Sequence, residues 1–206
     1  MADAKKIIVN DLKKTFRVGT QDIEVLKGIS FEINEGEFTV IFGPSGCGKS
    51  TRLHILFGLE EPSSGGVNLF GFELYNGTNQ DDRAIYRRNH VGMVYQQANW
   101  IKALDVKANV GFPLTLIGMP KNQAYSKVLD QLKAVEMEAW ANYMPTELSS
   151  GQQQRIALSR AMINDPLLVV ADEPTGNLDF KSGEQMMGLL QKMSTDYNKT
   201  IITVTN

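Results

Sequence analysis

Gly43-Pro44-Ser45-Gly46-Cys47-Gly48-Lys49-Ser50 satisfies the pattern G-x-x-x-x-G-K-[ST] at every fixed position. The run before it, Phe38-Thr39-Val40-Ile41-Phe42, is apolar enough to be a buried strand. Residues 50–59 after it carry Leu53, Leu56 and Phe57 on one side of a helix. Glycines allow a tight concave turn with inward-pointing N–H groups, Lys49 brings a point charge, and the helix start adds a positive dipole end. A triphosphate fits that cradle. Gly43, Pro44, Ser45, Gly46, Cys47, Gly48, Lys49, Ser50 and Thr51 are therefore the candidate phosphate-binding set, with Lys49 and the amides of residues 46–51 making the contacts.

Outward from the loop, residues 38–42, 91–95, 167–171 and 201–205 read as short apolar strands separated by helical stretches. That alternation predicts an α/β sheet with ligands at the carboxyl ends of its strands. The N-terminal part differs. Residues 6–9, 12–18 and 25–33 read as strands joined by polar turns such as Val18-Gly19-Thr20-Gln21-Asp22, which predicts an antiparallel sheet beside the core. Residues 121–137 carry Tyr125, Val128, Leu129, Leu132 and Val135 at helical spacing. A later helix over 182–195 opens with Ser182 and Gln185 in capping-box spacing and offers Met186, Leu189, Leu190 and Met193 as core filling.

The chain of 206 residues is 42% hydrophobic, which suits one core with room for an inserted subdomain. A net charge of −2 lacks the basic excess of a nucleic-acid binder, so no nucleic acid is expected as partner. No apolar run approaches the ~18 residues that span a bilayer, and the reading is a soluble, cytosolic chain. Cys47 is the only cysteine, and with His54 and His90 it makes no metal cluster.

Two further segments carry chemistry. Leu167-Leu168-Val169-Val170-Ala171-Asp172-Glu173 is an apolar strand ending in two carboxylates. Beside a phosphate loop, Asp172 is the candidate Mg²⁺ holder, with the Ser50 hydroxyl as second ligand, and Glu173 the group that polarises attacking water. Leu148-Ser149-Ser150-Gly151-Gln152 follows Pro145 and leads into a helix containing Ile156, Leu158, Ala161 and Met162. Ser149 reads as its N-cap; taken alone the segment favours ordinary capping, while its free N–H groups, hydroxyl and dipole also make an anion site that could receive a phosphate from a second molecule.

These three segments, in this order, resemble the ATP-binding-cassette ATPases over essentially the whole chain. Asp172-Glu173-Pro174-Thr175-Gly176-Asn177-Leu178-Asp179 is similar to the ATPase subunits of macrolide-export, lipoprotein-release, peptide-export and cell-division transporters. The resemblance implies an α/β P-loop NTPase with a RecA-like core, an N-terminal antiparallel β subdomain and an inserted α-helical subdomain over about 98–160, all within one nucleotide-binding domain over 1–206. It implies ATP and Mg²⁺ as ligands, and an ATP-hydrolysing subunit that dimerises around ATP and energises an integral membrane permease. That partner would hold it peripherally at the inner face of the cell membrane.

Residue by residue, the resemblance implies that Ser149 and Gly151 contact the γ-phosphate of ATP on the partner copy, with Gln152 of the same motif among the nucleotide-binding residues. Gln96, after Met93-Val94-Tyr95, matches the glutamine that senses Mg²⁺ and attacking water, Phe16 matches the aromatic that stacks on adenine, and Asn177, Leu178 and Asp179 match the loop coupling the two sites. The chain departs from the pattern in three places. Ser150 replaces a glycine and is expected to be tolerated, Arg52 replaces an apolar residue and is expected on a solvated helix face, and Asn206 stands where the switch histidine belongs. Asparagine cannot relay a proton, and the chain stops there whereas family members continue. That reads either as a natural variant or as an altered or truncated chain with impaired turnover.

Three other readings are weighed. An ATP-gated scaffold on a membrane partner shares every motif. A DNA-maintenance ATPase needs a long coiled coil between Ser50 and Leu148, for which there is no room. A small-molecule kinase leaves residues 148–152 and 177–179 unexplained.

Overall fold

The computed structural model describes residues 6–44 and 46–205, so Ser45 and Asn206 lie outside the described residues. The chain opens with a hairpin of two long strands, β1 (Lys6–Val18) and β2 (Gln21–Asn34), around the turn at Gly19 and Thr20. The two strands expected over 6–9 and 12–18 are one strand in the structure. A bulge at Asp11, whose φ of 41° is left-handed, resets the alternation so that Val9 and Leu12 are both buried.

The strand β3 (Phe38–Phe42) leads through the glycine-rich loop into α1 (Lys49–Leu56), which is shorter than the sequence suggests. Its Leu53 and Leu56, with Phe57 just beyond, are fully buried as expected. The strands β4 (Ser64–Leu69) and β5 (Phe72–Glu73) then complete an antiparallel sheet in the order β2-β1-β4-β5. A second sheet is parallel. It takes in β3, β6 (Val91–Val94), β7 (Leu168–Asp172) and β8 (Thr200–Thr205) in the order β3-β8-β7-β6. These are the four strands read from the sequence, each within a residue or so of its expected bounds. β3 forms one edge, where Phe42 is 70% exposed and Arg52 lines a groove with Phe31 and Ile41. Arg52 is thus half-buried rather than on a solvated face, and its Nε has no partner among the described residues.

Between the acidic strand and the loop lie α2 (Gln80–His90), α3 (Val106–Leu116), α4 (Lys121–Ala134) and α5 (Ser150–Met162), and α6 (Phe180–Tyr197) follows β7. The last helix is capped by Asp179, which accepts from Ser182 N–H, so the box expected at Ser182 and Gln185 is not the cap. A cap belongs where the first free amides are, and the helix starts at Phe180, two residues before the expected start at Ser182. Of its apolar residues, Met186, Leu190 and Met193 are buried.

The parallel sheet divides two cores. Leu168 and Val170 of β7, with Ile202 and Val204 of β8, pack toward α1 and the antiparallel sheet. Val169, Ala171 and Ile201 face the opposite way, toward α5, α6 and the helices α3 and α4. Alternation along a strand buried on both sides supplies both cores at once. Ile202 is fully buried at the centre. Ile202→Ala should lower unfolding free energy by about 2–5 kcal/mol, whereas the half-exposed Leu59→Ala should change it by less than about 1 kcal/mol. Urea unfolding of the two variants measures the contrast, and equal losses would sink the assignment of Ile202 to the core.

Candidate functional site

The loop after β3 takes its shape from glycine. Gly46 and Gly48 have φ of 81° and 88°, and Gly48 caps α1 from the left-handed region. A Cβ on Gly48 would lie 2.9 Å from Val25 Cγ1, and one on Gly43 would lie 2.8 Å from Cys47 Sγ. The loop is therefore packed against β2 and against itself. Lys49 is buried, and its ammonium donates to the Gly43 carbonyl and to that of Pro44 at 3.0 Å. The cation thus bridges the mouth of the loop from within.

A cavity of 380 Å³ is lined by Val25, Gly46, Gly48, Lys49, Ser50, Thr51 and Glu173. This joins the loop to the acidic end of β7, as the sequence anticipates. Asp172 ends the strand, and burial, reinforced by the charge of Glu173, raises its pKa, while His54 and Lys49 oppose the shift. Glu173 turns out of the strand with a left-handed φ of 47°. Its N–H donates to the Val204 carbonyl at 3.0 Å, and its own carbonyl accepts from Gly176 N–H at 3.0 Å.

Two neighbouring carboxylates, one of them desolvated, favour a divalent cation. No group of three or more His, Cys, Asp or Glu side chains among the described residues could cage one. Mg²⁺ takes one or two carboxylates, a hydroxyl and phosphate oxygens, and Asp172 and Ser50 are donors of the first two kinds.

Of the other predicted residues, Gln96, Asn177 and Leu178 help to line a second cavity of 420 Å³, together with Ser150, Gln153 and Gln154. A Cβ on Gly176 would lie 2.7 Å from Gln96 Nε2, so the turn after Glu173 closes directly onto that side chain. Ser149 caps α5 in a reciprocal box with Gln152: its hydroxyl oxygen accepts from Gln152 N–H at 3.3 Å, and Gln152 Oε1 accepts from Ser149 N–H at 2.9 Å. Gly151 sits where a side chain would meet Ser182 Oγ at 3.0 Å, which brings the starts of α5 and α6 together.

Asp179 accepts from Ser182 N–H at 3.0 Å and from Ser182 Oγ–H at 2.7 Å, and these bonds lower its pKa. Phe16 is half-buried on β1, with the Lys14 ammonium 4.8 Å from its ring centroid. Within one chain, the described lining of the phosphate-loop cavity includes none of Phe16, Gln96, Ser149, Gly151 and Asp179.

Sequence reasoning did not single out Val25, Trp100, Gln153, Gln154 or Arg160. Gln153, Gln154 and Arg160 of α5 hold the segment after β6, which contains Trp100, and their only early signal was their spacing on one helix.

A family model described as ABC transporter matches residues 26–176. An uncharacterized ABC transporter ATP-binding protein of Methanocaldococcus jannaschii is 40% identical over 204 residues, spanning 97% of this chain and 86% of that protein. The macrolide export ATP-binding/permease protein MacB of Bdellovibrio bacteriovorus is 41% identical over 200 residues, which are 97% of this chain and 30% of that longer protein. A solved dimeric ATP-binding cassette in a post-hydrolysis state, bound to ADP and Pi, superposes with a TM-score of 0.88 at 39% identity, covering 97% of this chain and 88% of the other.

The raised pKa of Asp172 has a sign that can be tested. The folded state binds this proton more tightly than the unfolded state, so stability falls as pH rises above the ordinary aspartate range. Asp172→Asn should therefore raise the ligand-free melting temperature at pH 7 and leave it nearly unchanged near pH 4. Thermal melts at both pH values check this, and a pH-independent difference would contradict it.

Proposed function

The chain belongs to the ABC transporter family of ATP-binding subunits, and from that premise we propose that it hydrolyses MgATP between two copies of itself and so drives an integral membrane permease. The observation that carries this reading is the cavity in which Lys49 and Ser50 face Glu173, while the capped start of α5 stands outside it. A site built this way has a floor and lacks a cover. A second copy would bring one.

Lys49 would exchange the carbonyls of Gly43 and Pro44 for phosphate oxygens, joined by the amides of residues 46–51. Ser50 and Asp172 would hold Mg²⁺, which when bound would supply charge neutralisation at the phosphates. Glu173 orients the attacking water and accepts its proton, and Gln96 positions that water from the neighbouring cavity. Ser149 Oγ already accepts from Gln152 N–H, which leaves its own proton to donate outward. Together with the N–H groups of Gly151 and Gln152 it would close over the γ-phosphate held by the other copy. Phe16 offers its ring to adenine, and Asp179 ties the loop before α6 to the same interface.

The dimeric cassette with ADP and Pi supports the shared site. The permease reading draws support from the printed name of MacB and from a lipoprotein-releasing system ATP-binding protein, LolD 1 of Rhodopirellula baltica, which is 35% identical over 97% of this chain and 87% of its own length. A groove between α2 and α3 presents Ile101, Phe112 and Leu116 beside Arg87 and Arg88, a surface suited to an amphipathic segment. No helix among the described residues is long and apolar enough to cross a membrane. On this reading, which the names of those relatives support, the permease holds the chain at the cytoplasmic face.

Glu173→Gln should lower steady-state ATP hydrolysis by about 10²–10⁴-fold while ATP affinity is retained and MgATP drives the chain toward a dimer. Phosphate release and sedimentation measure the two effects. Unchanged hydrolysis would reject Glu173 as the water-positioning base.

A further inference from the structure

One face of α5 straps down the segment that follows β6. Gln154 Nε2 donates to the carbonyls of Tyr95 at 3.1 Å and Gln96 at 2.8 Å. Gln153 Oε1 accepts from Trp100 Nε1 at 2.8 Å. Arg160 donates to the carbonyl of Asn99 at 3.3 Å and to that of Ala98, and its guanidinium lies 4.7 Å from the Trp100 ring centroid. Asn177, from the loop that follows the acidic strand end, donates through Nδ2 to the same Gln96 carbonyl at 3.4 Å. That one oxygen therefore joins three segments: the strand end carrying Gln96, the helix capped by Ser149, and the turn that begins at Glu173.

Gln154 is the buried member of this set, at 5% exposure, and both N–H bonds of its amide are spent on the two carbonyls. Its Oε1 is buried without a partner among the described residues. A buried amide with an unmet acceptor costs free energy that an apolar side chain of the same size avoids. What the amide provides in exchange is the position of the Gln96 backbone. It sits about one helical turn from the start of α5, so any displacement of that start is transmitted to Gln96 nearly rigidly.

We propose that Gln154 is a positioning residue for hydrolysis, which fixes Gln96 through its main-chain carbonyl and makes its placement depend on where the start of α5 lies. The proposal rests on the functional reading above. Helix movement that brings Ser149 over a phosphate in the other copy would carry Gln96 of its own copy with it, so each site becomes competent only when its own helix has closed on its partner.

The test uses a Trp140→Phe background, which leaves Trp100 as the sole tryptophan of the two in the chain. Gln154→Met keeps the volume and removes both donors, and Gln154→Glu keeps the shape and turns acceptors toward the two carbonyls. Both should lower kcat by about 10-fold or more with KM for ATP within about 3-fold of the parent. Iodide quenching of Trp100 should rise at least ~2-fold as the strap loosens. The Glu variant should be the more severe, and it carries the test if the Met variant does not fold. A rise in KM with kcat unchanged, or Trp100 quenching identical to the parent in either variant, would overturn the proposal. Absence of ATP hydrolysis in the parent would count against the functional reading alone, because the quenching comparison needs no turnover.

Discussion

The strand Leu168–Asp172 must be covered on both faces, and much of the architecture answers that demand. Four consecutive buried residues leave no side for water, so one face takes the antiparallel sheet and α1, and the other takes the helical layer. The first residue to escape burial is Asp172, at the carboxyl end, where the phosphate loop also opens. The site lies where the apolar run stops, because a carboxylate further back along the strand would have to be buried without compensation.

Charge at that strand end is held in a poised arrangement. Asp172 suffers from its own burial and from Glu173, while Lys49 and His54 relieve it in part. Lys49 meanwhile is held by carbonyls of its own loop. Phosphate and a divalent cation would satisfy both needs together, and for that reason the two would be expected to bind more strongly as a pair than separately.

The features legible in the sequence were those in which a local pattern has one physical meaning. The glycine-lysine loop, the apolar strands ending at Phe42 and Asp172, and the cap at Ser149 are of this kind. The helix α3 was not, because Gly111 and Pro113 interrupt it and only packing overrides their propensities. The helix α2 left a clear mark that went unread, the capping box of Asn79 with Asp82. The strand β4 begins Ser64-Gly65-Gly66, a turn-like run, and becomes a strand through pairing with β1. The grip of Gln154 on Tyr95 and Gln96 spans nearly sixty residues of chain, and no local spacing could reveal it. Ser149 and Gly151 could be read as an anion site for a phosphate from a second molecule, and the fold keeps both out of the described lining of their own chain's phosphate-loop cavity.

The edge position of β3 bears on the behaviour of the chain in solution. Residues 39–42 of β3 border a groove shared with residues 31–33 of β2, and Phe42 stands exposed at the end of the strand. An edge of this kind is a template for another strand, since each added residue satisfies amides that otherwise only water would meet. Colloidal losses during purification of this chain should therefore begin there, and a lysine or proline placed along that border would reduce them without touching the nucleotide cavity.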